Sequence, residues 1–185
     1  MTREIFCKYI VGLYNDVPIE IYLGLISLFA IGLFFVLKFS NEKYHFQLVS
    51  KLLLVEYLSL LFCSTVLFRV GNKEVKYNVE PLWSYDSIQD GNSVLIAENF
   101  MNVVAFIPIG FLLGCSFRKM RLWKVLLIGI CISATVEGLQ FYCKRGFAEI
   151  DDELHNTLGC IIGYGVYSLL RLGYKGVYKK RMSVC

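Results

Sequence analysis

The chain has 185 residues, of which 56% are hydrophobic and only 18% are charged. A water-soluble domain of this size carries about a quarter charged residues, and one core of this length cannot bury so much apolar surface. A soluble globular domain, a disordered chain and a coiled coil are therefore disfavoured, and the net charge of +4 by itself says little about partners.

The N-terminus does not have the pattern of a cleavable signal peptide. Its first apolar patch is broken by Lys8, and the next is long enough to cross a bilayer, so the first span is expected to remain in the protein. A bilayer core needs roughly 17–25 apolar helical residues. Five stretches meet this: 19–37, 52–68 with Glu56 inside, 100–117 with Pro108 inside, 122–142 with Lys124 and Glu137 near its ends, and 154–170. Strand alternation is absent, which disfavours an outer-membrane barrel. The expected fold is an all-α, polytopic membrane helical bundle of five transmembrane helices. Seven scattered cysteines with no CxxC pair suggest neither a disulfide framework nor a zinc site.

Lys and Arg set membrane orientation. One side of the five-span arrangement holds Arg3, Lys8, Arg69, Lys73, Lys76, Lys144 and Arg145; the other twelve of the nineteen basic residues lie opposite. The richer side is expected to be cytoplasmic, with the N-terminus outside and the C-terminus inside. The RKMR turn at 118–121 and the basic tail read as topology anchors that can touch anionic lipid, not as a nucleic-acid site. Glu74, Glu80, Asp86, Asp90, Glu98, Glu149, Asp151, Asp152 and Glu153 all fall in the two outward loops. Acidic residues contribute little to orientation, so the outer face has a chemical character of its own. The longer of these loops has about thirty residues, and loops of that length are often functional.

A charged side chain within a span costs about 2.5–3.5 kcal/mol on insertion scales, so Glu56 and Glu137 each need a partner or a proton. Gln140 follows Glu137 by three residues and shares its helix face. The third span opens on Asn99 and Asn102, contains Pro108, and carries Gly110 and Gly114 as a GxxxG pair. In the fifth, Asp152, Asn156, Gly159 and Gly163 form one helical stripe, the glycines making a second GxxxG. These small residues are expected to pack helices. Asn102, Glu137, Gln140, Arg145, Glu149, Asp151, Asp152 and Asn156, with Asn99 and Lys144, are expected to meet in an outward-facing polar cup. The competing reading at each is structural: a hydrogen-bonded pair for Glu137 and Gln140, and a helix cap for Asp151 or Asp152.

Three segments resemble the VanZ-like family, named for a protein linked to low-level teicoplanin resistance. They are N-V-V-A-F-I-P-I-G-F-L-L at 102–113, E-G-L-Q at 137–140, and R-G-F-A-E-I-D-D-E-L-H-N-T-L-G at 145–159, followed by Gly163. Asn78 and Pro81, with Arg69 before them, are similar to a weaker motif. Glu153 and His155 stand where the family more often has apolar residues. The resemblance implies a four-helix membrane domain over 52–170, preceded at 1–51 by a tail, an additional helix and a cytoplasmic loop, and followed at 171–185 by a basic cytoplasmic tail. It implies a cell-membrane protein whose outer face affects how a glycopeptide reaches its lipid-linked target.

Three functions are then open. The preferred one is non-enzymatic, with no catalytic residue, cofactor or metal: the cup binds a glycopeptide or a lipid-linked cell-wall precursor, with membrane lipid around it. The second is an intramembrane enzyme acting on a lipid head group, with Glu137 as general base. The third is a structural subunit of a membrane complex, docked through the GxxxG motifs.

Overall fold

The computed structural model describes residues 17–182, with side chains described for 17–174. Arg3, Lys8, Cys7 and Cys185, and the side chains of the basic tail from Lys175 onward, lie outside the described residues. The chain is mostly helical, with helices α1 (Ile19–Phe39), α2 (Glu42–Phe62), α3 (Trp83–Gln89), α4 (Val94–Ser116), α5 (Leu122–Cys143) and α6 (Ile150–Met182). Two short strands, β1 (Tyr77–Asn78) and β2 (Ala148–Glu149), pair in parallel.

Helix α1 has no buried residue and leans on α2, where Gly32 lies against Leu52. The segment before residue 52, expected as a cytoplasmic loop, is instead largely the start of α2. Asn41 caps that start by accepting from the Lys43 backbone N–H, and an N-cap oxygen satisfies a donor that the helix cannot. At the far end α2 widens into a π-helical turn, Cys63–Leu67. The Ser64 and Thr65 hydroxyls both donate to the Leu61 carbonyl, at 3.0 and 2.7 Å. Such side-chain bonds compete with the regular backbone ladder.

Helices α4 and α6 form the central pair, and both GxxxG motifs lie between them. A Cβ on Gly110 would strike the Cys160 carbonyl, and one on Gly114 the Tyr167 ring; Gly159 meets the Val103 carbonyl in the same way and Gly163 that of Ile107. Backbone contact of this kind is open only to glycine. Pro108 removes a backbone donor from α4; in that turn the Tyr57 hydroxyl of α2 donates to the Ala105 carbonyl at 2.7 Å. Leu54, Leu61, Phe106, Ile109, Leu113, Val125 and Cys160 make the buried core between α2, α4, α5 and α6.

Among the described residues four helices are long and apolar enough to cross a membrane: α1, α2 with its π turn (Glu42–Leu67), α4 and α5. The fifth expected span lies within α6 but falls outside this set. Its first two turns carry Asp151, Asp152, Glu153, His155, Asn156 and Thr157, which dilute the apolar run. Four of those six side chains, Asp151, His155, Asn156 and Thr157, are nonetheless buried against neighbouring elements.

Candidate functional site

The polar residues gather where α4, α5 and α6 end beneath the loop that joins α2 to α4. Helices α5 and α6 run antiparallel, and one hydrogen bond sets their register: Asn156 Nδ2 donates to Ser133 Oγ at 3.0 Å. One turn outward on each helix stand Glu137 and Asp152, which therefore face each other across the interface. One further step out, the Glu149 backbone N–H donates to Glu137 Oε2 at 2.9 Å. The result is a polar ladder descending from β2 toward the apolar part of the bundle. From α4, Asn102 Nδ2 donates to Asp152 Oδ1 at 2.6 Å. Gln140 Nε2 donates to the Thr65 carbonyl at 3.2 Å, tying α5 to the π turn.

Two of the expected cup residues serve neighbouring backbone. Asp151 is fully buried, and it does not cap its own helix. Its carboxylate accepts from the Leu82 and Ser84 backbone N–H groups at 2.6 and 3.0 Å, and from the Ser84 hydroxyl at 2.6 Å. It thus satisfies the start of α3, where Leu82 adopts a left-handed conformation with φ 66°. Asn99 adds a bond to Ser84 Oγ at 3.1 Å. Arg145 points inward: its Nη1 donates to the Val66 carbonyl at 3.3 Å, to the Leu67 carbonyl and to the Arg69 carbonyl at 3.4 Å. Those carbonyls end the π turn, and a guanidinium supplies the donors that a helix C-terminus lacks. Lys144 lies exposed in a left-handed turn at φ 55°.

The loop is held down rather than open. The Asn72 backbone N–H donates to the Lys144 carbonyl at 2.7 Å, and β1 pairs with β2. Trp83 Nε1 donates to Glu149 Oε2 at 3.1 Å, and Tyr85 OH pairs with His155 Nε2 at 2.9 Å. The expected outward-facing cup is thus a partly covered cluster, because the loop's own donors reach Asp151 and Glu149.

Two members were missed as site residues from sequence. Glu98 precedes Asn102 by four residues, a spacing that places both on one face of α4 and could have revealed it. Arg69 had only a weak motif to mark it. Its guanidinium lies over Gly146, where a Cβ would come within 2.6 Å of Nε, and it acts electrostatically on Glu98, Glu137 and Asp152. Three carboxyl groups thus share one guanidinium. Burial first, then the neighbouring carboxylates of Asp152 and Glu98, push the Glu149 carboxyl up to about 8, against the opposing Trp83 hydrogen bond. Among the described residues no three His, Cys, Asp or Glu side chains are arranged to hold a metal ion.

The family model for VanZ/LLP1 matches residues 21–171, which include most of α1 and the whole polar ladder. The chain belongs to the VanZ/LLP1 family. A curated relative, Protein VanZ of Enterococcus faecium, is 29% identical over 128 residues, covering 66% of this chain and 76% of the relative. No solved structure matches the chain. The VanZ/LLP1 assignment and the four apolar helices make this a membrane protein.

Proposed function

We propose that the chain is a non-enzymatic cell-membrane protein that lowers susceptibility to teicoplanin-type glycopeptides, through binding of the antibiotic or of a lipid-linked envelope precursor at its outer polar cluster. In this reading α6 is a fifth span, the N-terminus is outside and the C-terminus is cytoplasmic. Support for the orientation comes from the twelve-to-seven division of Lys and Arg under the positive-inside rule. Support for α6 as a span comes from its length and from its packing along α4 through paired glycines.

The single observation that carries the functional reading is the Glu137–Asp152 ladder at one end of an otherwise apolar bundle. Ionisable groups there are costly, and such groups mark ligand pathways by default. Membership of a family that includes Protein VanZ gives that site its context. The test is the amount of fluorescent teicoplanin bound per cell, with wild type, Glu137→Ala and Asp152→Ala at equal membrane levels. Wild type should change binding relative to cells without the protein, and both variants should abolish the change. A full effect in both variants would remove the cluster from the function.

A further inference from the structure

Pairing within the chain leaves the Glu137–Asp152 rung unbalanced in two independent ways. The first is charge: Glu98, Glu137 and Asp152 share the field of the Arg69 guanidinium, and Glu149 adds a fourth carboxyl beside Glu98 and Asp152. The second is hydrogen bonding. Gln140 and Asn156 are each only 4% exposed, yet Gln140 Oε1 and Asn156 Oδ1 find no donor among the described residues. For Gln140 the amide orientation is set by chemistry, because the Thr65 carbonyl opposite Nε2 can only accept. The two amides bracket the rung. Gln140 stands one turn outward of Glu137 on the same face of α5, and Asn156 one turn inward of Asp152 on α6. Buried polar atoms are nearly always paired, and exceptions point to a missing partner.

That partner must donate several hydrogen bonds and bring positive charge. An anionic phosphate or pyrophosphate is repelled by the carboxylates and offers only acceptors. A primary ammonium carries three donors around a compact charge, which suits two carboxylates and an amide oxygen converging from two helices. Glu98, Glu137, Glu149 and Asp152 are each partly exposed residues, so the rung is approachable from outside. We infer that the Glu137–Asp152 rung, with the amide oxygen of Asn156, binds a primary ammonium group of the ligand. This rests on the reading that the outer cluster is a ligand site, and adds which group of the ligand it takes. The amine can come from the glycopeptide or from the head group of phosphatidylethanolamine.

The experiment uses the full-length protein in nanodiscs of phosphatidylglycerol, titrated with teicoplanin and with teicoplanin acetylated on its amino groups. A second arm measures, by native mass spectrometry, retention of phosphatidylethanolamine against phosphatidylglycerol from mixed nanodiscs. A glycopeptide amine predicts that acetylation weakens binding about tenfold or more, the worth of a charge-assisted hydrogen bond. It also predicts that Asn156→Leu weakens the native probe but leaves the acetylated one unchanged. A lipid amine predicts preferential retention of phosphatidylethanolamine, lost in Asp152→Asn. Equal binding of both teicoplanin forms together with indifferent lipid retention overturns the ammonium site, while the measured glycopeptide binding keeps the broader reading. Absence of any glycopeptide binding together with indifferent lipid retention overturns both. Acetylation alters only the probe, so misfolding of a variant cannot imitate the result.

Discussion

Arg145 shows how a residue in a polar motif can act on backbone far from its own position. Its guanidinium serves three carbonyls at the end of the π turn, and hydrogen bonds from a charged group are worth roughly 1.5–3 kcal/mol. Arg145→Met should cost about 2 kcal/mol, read as a lower melting temperature of the detergent-purified protein. Lys144→Gly, one residue earlier at φ 55°, should be neutral or stabilising by up to about 1 kcal/mol. Glu149 gives a pH prediction. A carboxyl raised from its ordinary 4.5 to about 8 contributes stability that is complete below the lower value and lost as pH rises through the higher one. Melting temperature should therefore fall as pH rises from about 4.5 to about 8 and level off above, and Glu149→Gln should flatten that fall. Polar residues inside apolar runs could be singled out by their cost alone, as with Glu137 and Asn156. Their partners could not, because the Asp151 bond to Leu82 spans 69 positions and the Arg145 bond to Leu67 spans 78. Spacing along one helix carries no information about such distant pairs.

At the scale of elements, α4 and α6 stand or fall together through their glycines. Gly163→Ala would force a methyl group into the Ile107 carbonyl and should destabilise by about 1–3 kcal/mol or more. Gly165→Ala, with nothing within 4 Å of its Cβ, should be neutral or slightly stabilising, since alanine is the better helix former. Thermal unfolding of the two variants side by side separates packing from helix propensity. The helical bundle was legible because an apolar run of span length admits few other structures in lipid. The start of α2 was not, because residues 42–51 mix polar and apolar side chains and only the Asn41 cap marks the boundary. Helix α3 and the parallel pairing of β1 with β2 were equally hidden. Both are held by contacts with the 145–155 segment rather than by local pattern.

For the whole molecule, the apolar mass and the sparse charge divide the work. Helices α1, α2, α4 and α5 are long and apolar enough to cross a membrane, and the ladder between α5 and α6 gathers the carboxyl groups of Glu137, Glu149 and Asp152 at one end. The proposed orientation predicts that alkaline phosphatase inserted after Asp90 is active and that the same insertion after Lys119 is inactive; the reverse pattern would invert the protein. Family membership was legible because the 145–159 segment orders its polar residues in a way that chance does not produce. The covering of the cluster was not, since it depends on the loop folding back over α6. The most direct test of the cluster's role is the teicoplanin concentration that inhibits cells carrying wild type, Glu137→Gln, Asp152→Asn or Glu56→Gln at equal membrane levels. These substitutions keep side-chain shape and remove charge. Glu137→Gln and Asp152→Asn should return cells to the susceptibility of those lacking the protein, while Glu56→Gln should retain wild-type protection. Full protection by both cluster variants, or loss of it only with Glu56→Gln, would contradict the assignment.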